Sequence, residues 1–254
     1  MIVTILGSGT SGGIPMIGCP CPVCRSTDSR DKRLRTSIHI SINGKSFVID
    51  AGPDFRQQML RESISRLDAI IFTHQHRDHT AGLDDIRAYN YFQAKPMDIY
   101  LSSEVEASLK KEYHYVFEGG GYPGLPEMRL FRIENRAFYI DEVKITPIEV
   151  MHYKLPVFGF RVNNFTYITD ANAISEQEIE KIKGSEVLII NALRKERHIS
   201  HFSLEEALDM IRKINPQKAY LIHMSHQMGA HAEVSMELPE NVELAYDGLR
   251  IECA

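Results

Sequence analysis

Short apolar runs recur along this chain, and most of them end abruptly at a turn pair, a carboxylate or an imidazole. Ile2-Val3-Thr4-Ile5-Leu6 stops at a glycine-rich turn. Residues 37–42 alternate strictly, Asn43-Gly44 supplies the turn a tight hairpin demands, and 46–49 returns as a strand that delivers Asp50. Further runs at 69–72, 98–101, 148–151, 167–169, 186–191 and 218–222 read as buried strands, with a second hairpin turning at Asn163-Asn164. Helical spacing lies between them. Pro53 suits the first turn of a helix carrying Phe55, Met59 and Leu60 inward, and 81–92 sets Leu83, Ile86, Tyr89 and Tyr91 at helical intervals. Ser103-Glu104-Val105-Glu106 reads as a capping box opening a helix to Val116, and Ser175 and Ser203 cap two more. The stretch Glu118-Gly119-Gly120-Gly121-Tyr122-Pro123-Gly124 reads either as a flap near a site or as a plain connection.

Composition narrows the class. With 254 residues and 43% hydrophobic content the chain can bury one large core or two closely packed halves. A formal net charge of -5 argues against a broad basic surface, so no large nucleic acid is expected as a partner. No apolar run approaches the roughly 18 residues that a bilayer requires, so no membrane is expected either. The first residues lack a basic region and read as a strand, not a signal peptide. Three of the four cysteines crowd into one short segment, a usage that fits metal binding in a reducing compartment, and the expected location is cytoplasmic.

Candidate chemistry concentrates in Thr73-His74-Gln75-His76-Arg77-Asp78-His79, directly behind a buried strand. In an extended segment His74 and His76 project to one side, and the adjacent Asp78 and His79 cannot share that direction. The spacing therefore suits two neighbouring ions. A second cluster, Cys19-Pro20-Cys21-Pro22-Val23-Cys24, can present three sulfurs to one tetrahedral zinc that needs a fourth ligand from elsewhere; free thiols or one strained disulfide are the alternatives. Asp50 can itself be a ligand, but better suits an acceptor for a metal-bound imidazole. His152 and Asp170 sit at strand ends, where a lone histidine is ordinarily a packing residue. Arg194-Lys195-Glu196-Arg197-His198-Ile199-Ser200-His201 is one short basic cluster that can receive an anion, or is a solvated charged loop.

The metal loop resembles the His-x-His-x-Asp-His signature of the metallo-β-lactamase superfamily. Together with Gly7-Ser8-Gly9-Thr10-Ser11, the cysteine trio, His198-x-x-His201, His223 with His226, and Ala245-Tyr246-Asp247-Gly248, it resembles the PhnP branch, the phosphoribosyl cyclic phosphate phosphodiesterases, and more distantly RNase Z. The resemblance implies an α/β fold, an αββα sandwich of two facing mixed β-sheets with helices outside, as a single metallo-hydrolase domain over 1–254. It implies that His74, His76 and His152 hold one divalent ion, zinc or manganese, that Asp78, His79 and His223 hold another, and that Asp170 bridges them. His226, three residues beyond His223, is then free to complete a structural zinc with Cys19, Cys21 and Cys24. The implied activity is hydrolysis of a small cyclic phosphate ester by a hydroxide held between the two ions. In it Asp78 is essential, and His201 donates a proton to the leaving oxygen or holds a phosphate oxygen. The expected partner is a small anionic phosphoester, with homodimer formation left open. Other hydrolases of this superfamily cleave thioesters or lactones or process RNA 3′ ends, and some relatives serve cofactor biosynthesis without catalysis. These are the alternatives.

Overall fold

In the computed structural model, which describes residues 1–118 and 124–253, the apolar runs form two mixed β-sheets. The first contains β1 (Ile2–Gly7), β2 (Ser37–Ile42), β3 (Lys45–Ile49), β4 (Ala69–Ile71), β5 (Met97–Leu101) and β6 (Met128–Arg132). The second contains β7 (Phe138–Ile140), β8 (Val143–His152), β9 (Leu155–Val162), β10 (Phe165–Ile168), β11 (Ala173–Ile174), β12 (Val187–Asn191), β13 (Lys218–Ile222) and β14 (Val242–Leu244), and β15 (Arg250–Glu252) returns to the edge of the first. The orders are β15-β1-β2-β3-β4-β5-β6 and β11-β8-β9-β10-β12-β13-β14, with β7 beside β8.

One apolar cluster lies between the sheets, joining Ile38, Phe47 and Ile71 of the first to Phe160, Tyr167 and Ile189 of the second. The outer face of each sheet carries helices. Phe55–Arg61 and Ser103–Glu112 cover the first, through Phe55, Met59, Val105 and Leu109. Glu176–Ile182 and Leu204–Ile214 cover the second, through Ile179, Ile182, Ala207 and Ile211. The result is an αββα sandwich. Because both faces are covered, the central strand β12 is buried at every position instead of alternating. Each large apolar side chain so buried contributes about 1.5–3 kcal/mol.

The helices depart from the periodic reading in three places. Residues 81–92 are not one helix but a 3₁₀ turn, Leu83–Ile86, followed by the helix Arg87–Gln93, on which Tyr91 stands two residues past the buried Tyr89, on the opposite face, and is 81% exposed. Leu60 likewise faces solvent at 62% exposure, because only Phe55 and Met59 reach the sheet. The helix after β5 is capped by Ser102, whose side chain accepts from Val105 N, and it ends at Glu112 before a separate turn, His114–Phe117. Ser175 and the Ser203/Glu206 capping box stand where the sequence puts them. The flap expectation at 118–124 falls mostly on residues 119–123, outside the described residues. Among the described residues no helix is long and apolar enough to cross a membrane.

Candidate metal centre

Ends of strands from both sheets converge on one cleft. β3 delivers Asp50 and β4 delivers the loop with His74, His76, Asp78 and His79; from the opposite sheet β8 ends at His152, β10 is followed by Asp170 and β13 by His223. Three of these residues leave their strands with left-handed backbone, Asp50 at φ 66°, Asp170 at φ 55° and His223 at φ 58°. That conformation is uncommon outside glycine. Asn191, closing β12, grips the chain just past Asp170: its Oδ1 accepts from Ala171 N at 2.8 Å and its Nδ2 donates to Ala171 O at 2.9 Å.

Two sets of donor atoms result, each lying within 4.8 Å of one another: His74, His76 and His152 in one, Asp78, His79, Asp170 and His223 in the other. Asp170 links them through different oxygens. Its Oδ1 lies 3.3 Å from His79 Nε2 and 3.2 Å from His223 Nε2, while its Oδ2 lies 3.8 Å from His74 Nε2 and 4.0 Å from His152 Nε2. His201 faces the same Oδ2, Nε2 to oxygen at 3.2 Å, and with His152 and Asp170 it forms a further set within reach of one ion.

The supporting contacts fix which ring nitrogen is free. His79 Nδ1 sits 2.7 Å from Asp50 Oδ2 and His152 Nδ1 2.8 Å from the Ser200 carbonyl, so each ring donates there and turns an Nε2 lone pair toward the cleft. Thr73 ties together the ends of β3 and β4: its N and Oγ1 donate to Asp50 at 2.9 and 2.8 Å, and its Oγ1 lies 2.9 Å from His74 Nδ1. His79 Nε2 and His223 Nε2 are buried without a hydrogen-bond partner. Buried unpaired imidazole nitrogens facing two carboxylates are costly in a folded protein and are satisfied by a cation. The donor set therefore fits divalent metal, and its mixed imidazole and carboxylate character suits zinc, manganese or iron alike.

Charge follows the same geometry. Burial alone would raise Asp170, but His223 and His79 outweigh it and hold the carboxyl well below its ordinary 3.8. Burial would likewise lower His79, yet Asp170 and Asp50 carry it well above 6.5. His74 falls well below 6.5 through burial and the neighbouring His79. His201 falls to about 4, again chiefly through burial, and is a neutral imidazole near pH 7.

At the second cluster, Cys19 Sγ and Cys21 Sγ each lie 3.3 Å from His226 Nδ1, and Cys24 completes a set within 4.8 Å. All three thiols are free, and Cys21 is lowered to about 6, mainly by its hydrogen bond with His226. Cys253 is buried after β15 and takes no part. The basic segment 194–201 divides. Lys195 pairs with Glu237 at 2.6 Å and Arg197 with Glu206 at 2.9 Å, so these cations belong to a surface network, while the end of the segment, His201 foremost, reaches the cleft. The roles of Thr73, Asn191 and the Ser200 carbonyl escaped the sequence reading. A polar Asn191 closing an otherwise apolar run was the one available signal.

Comparison with known proteins agrees with this architecture. The family model described as the β-lactamase superfamily domain matches residues 45–224. Of solved structures, one titled as a new diphosphatase from the PhnP family superposes with a TM-score of 0.94 at 35% identity, covering 100% of this chain and 98% of that one. Zinc-bound PqqB from Methylobacterium extorquens superposes at 0.79 and 19% identity over the full length of both, a likeness of fold alone. An octanoyltransferase of Porphyromonas gingivalis is 40% identical over 96% of this chain, but the match spans only 50% of that protein. PQQ synthesis protein B of Methylobacterium radiotolerans is 35% identical over 39% of this chain and 36% of its own length. The chain thus spans about half, or less, of the curated relatives first matched. With the superfamily model over most of its length and the sandwich and cleft in place, this chain belongs to the metallo-β-lactamase superfamily of hydrolases, in its PhnP-like branch.

Proposed function

We propose that this chain is a metal-dependent phosphodiesterase acting on a small phosphoester. His74, His76 and His152 would hold one divalent ion and Asp78, His79 and His223 a second, with Asp170 between them. Cys19, Cys21, Cys24 and His226 would hold a structural zinc, since thiolates on three sides leave no position for water. When bound, two divalent ions supply Lewis-acid polarisation of a phosphoryl oxygen and make water acidic enough to attack at neutral pH.

The observation that carries the reading is the split of Asp170: one buried carboxylate turns an oxygen to each donor set while the non-bridging His201 faces the same point. In the reaction the oxygen of water bonds to phosphorus, the P–O ester bond breaks, and the leaving oxygen gains the proton that water gives up. The chain's residues arrange this. Asp50 and the Ser200 carbonyl hold His79 and His152 in the tautomers that turn lone pairs inward. His201, neutral and with Ser200 Oγ 2.9 Å from its Nδ1, presents Nε2–H as a hydrogen-bond donor to a phosphoryl or leaving oxygen. That role suits a neutral ring better than donation from an imidazolium. Loss of one such preorganised donor costs about 100 to 1,000-fold. Loss of Asp78 or Asp170, which remove charge from the donor sets themselves, costs more.

The test is phosphorus NMR of ribose 1,2-cyclic phosphate with zinc- or manganese-loaded protein, with Asp78→Ala as the blank. Ring opening to one monoester by the wild type alone supports the reading. An octanoyl thioester serves as the competing substrate, because the Porphyromonas relative is named an octanoyltransferase. Turnover of the thioester with no phosphoester cleavage refutes the proposal.

A further inference from the structure

Among the described residues the sandwich contains four hairpins closed by two-residue turns, and they form an internal comparison. The residue pairs flanking the turns are Ile42 with Lys45, Ile140 with Val143, His152 with Leu155, and Val162 with Phe165. In every one the first turn residue is left-handed: Asn43 at φ 51°, Asp141 at φ 50°, Tyr153 at φ 57° and Asn163 at φ 51°. Three of the four use Asn or Asp, the side chains that tolerate this conformation. The fourth uses tyrosine, a bulky residue for which it is an outlier. That turn is also the one beside the metal centre, directly after His152. Strained residues retained against local preference mark functional positions.

The strain aims the turn at a cavity. Asn172 Oδ1 accepts from Tyr153 N at 2.6 Å and anchors it. A cavity of about 460 Å³ opens off the first donor set, lined by His76 and His152 on the inner side and by Tyr153, Lys154, Leu155 and Ile199 on the outer. Its volume lies in the range, roughly 300–1,000 Å³, that holds whole small molecules. Tyr153 is 49% and Ile199 65% exposed, so a ring face and an aliphatic side chain stand open to a ligand. Lys154 Nζ lies 5.3 Å from the Tyr153 ring centre. Among the described residues no carboxylate lies within 4.0 Å of that ammonium, in contrast to Lys195 and Arg197 of the neighbouring segment.

We infer that Tyr153, Lys154 and Ile199 form a specificity subsite for the distal half of a diphosphate-bridged nucleoside, the base held between the Tyr153 ring and Ile199 and the second phosphate paired with Lys154. The inference rests on the phosphodiesterase reading and deepens it. A base offers a flat π-face to an open tyrosine, and stacking of this kind is tolerant of which base is presented. An unpaired ammonium beside the ring meets the charge of the phosphate beyond the one at the metal centre. A base-free cyclic monophosphate uses neither feature. The solved PhnP-family diphosphatase is consistent with a P–O–P bond as the one cleaved.

The test compares P1,P2-di(adenosine-5′) diphosphate with ribose 1,2-cyclic phosphate, using the metal-loaded full chain and the variants Tyr153→Asn, Tyr153→Phe and Lys154→Gln. Tyr153→Asn removes the ring while installing the residue that the other hairpins use, so it keeps the fold. The expected result is a fall of about tenfold or more in the kcat/KM ratio of dinucleotide to cyclic phosphate, carried by KM, for Tyr153→Asn and for Lys154→Gln. Tyr153→Phe restores the ratio. An unchanged ratio in both variants overturns the subsite while leaving the phosphodiesterase reading intact, as does a wild type that cleaves the cyclic phosphate but not the dinucleotide. A fully metallated wild type that cleaves neither removes both.

Discussion

Replacing Asp50 by Asn tests how the metal centre is supported. The side chain is fully buried, and its carboxylate accepts from Thr73 N at 2.9 Å, Thr73 Oγ1 at 2.8 Å and His79 Nδ1 at 2.7 Å. Asparagine keeps the shape, but one of the two oxygens becomes an NH₂. Facing His79, that group offers a donor where an acceptor stood, so the ring protonates on Nε2 and turns its lone pair away from the cleft. Rotating the amide only moves the mismatch onto Thr73. Loss of such a supporting acceptor lowers metal affinity about 10- to 100-fold, or about 1.4–2.7 kcal/mol. The metal-free fold responds too. Burial pushes the Asp50 carboxyl above its ordinary 3.8, but Asp50 is also a buried partner that holds His79 above 6.5, so the amide gives up that pair and the metal-free protein should lose stability as well, by about 3 kcal/mol or more. The assay is chelator competition for zinc, run beside thermal unfolding of the metal-free protein. Unchanged zinc affinity, or a collapse of metal-free stability with affinity intact, refutes the argument that Asp50 acts through the His79 tautomer.

Three more outcomes are expected. Cys21→Ser should lower metal content from about three ions per chain to about two, with a lower melting temperature and the other two ions retained; metal analysis decides it, and a zinc-free wild type holding a Cys19 to Cys24 disulfide sinks the structural zinc. His39, half-buried with Nε2 2.8 Å from Ser46 Oγ, is lowered by burial from 6.5 to about 4. Its folded pKa lies below its unfolded one, so the stability it contributes is present above about 6.5 and is lost as pH falls toward 4, by at most about 3 kcal/mol, and His39→Gln should flatten that part of a denaturation-versus-pH profile. Gly52→Ala places a Cβ 2.0 Å from the Asp78 carbonyl oxygen, a backbone atom of the metal loop, and should cost roughly 3 kcal/mol in urea unfolding together with metal content.

What was legible in the sequence was chemistry crowded into short segments. Three imidazoles and a carboxylate within one loop announce ligands whatever the fold, and the cysteine trio does the same. His152, Asp170 and His223 each stand alone in sequence, so only the strand before each and the family resemblance singled them out; their meeting is a product of two sheets that the chain builds separately. Helix details were less legible for local reasons. Tyr91 groups with Leu83, Ile86 and Tyr89 in the apolar pattern, yet two residues along one helix puts it opposite Tyr89, and only the inward residues of that set are buried. Ser102 and Ser103 are adjacent candidates for one cap, and the winner is the residue with extended backbone, Ser102 at φ -72° and ψ 168°. The supporting acceptors were least legible, because the Ser200 carbonyl belongs to the backbone and carries no residue signal at all.

Four departures from local preference gather at the cleft. Asp50, Asp170 and His223 are left-handed at the ends of β3, β10 and β13, and Tyr153 is left-handed at the turn beyond β8. Each strand is buried and held by pairing on both sides, which is what can hold a residue in a conformation costing about 1–2 kcal/mol. The left-handed step bends the chain sharply at the strand end, so a side chain that would continue along the sheet instead turns across the cleft. For Asp170 the step sets the carboxylate between the two donor sets, with Oδ1 near His79 and His223 and Oδ2 near His74. Other left-handed residues serve hairpin turns and helix ends, Ala94 and Asn215 among them, whereas these four stand where the two sheets face each other. They mark the site from the backbone, and they include Tyr153, which sequence chemistry gave no reason to notice.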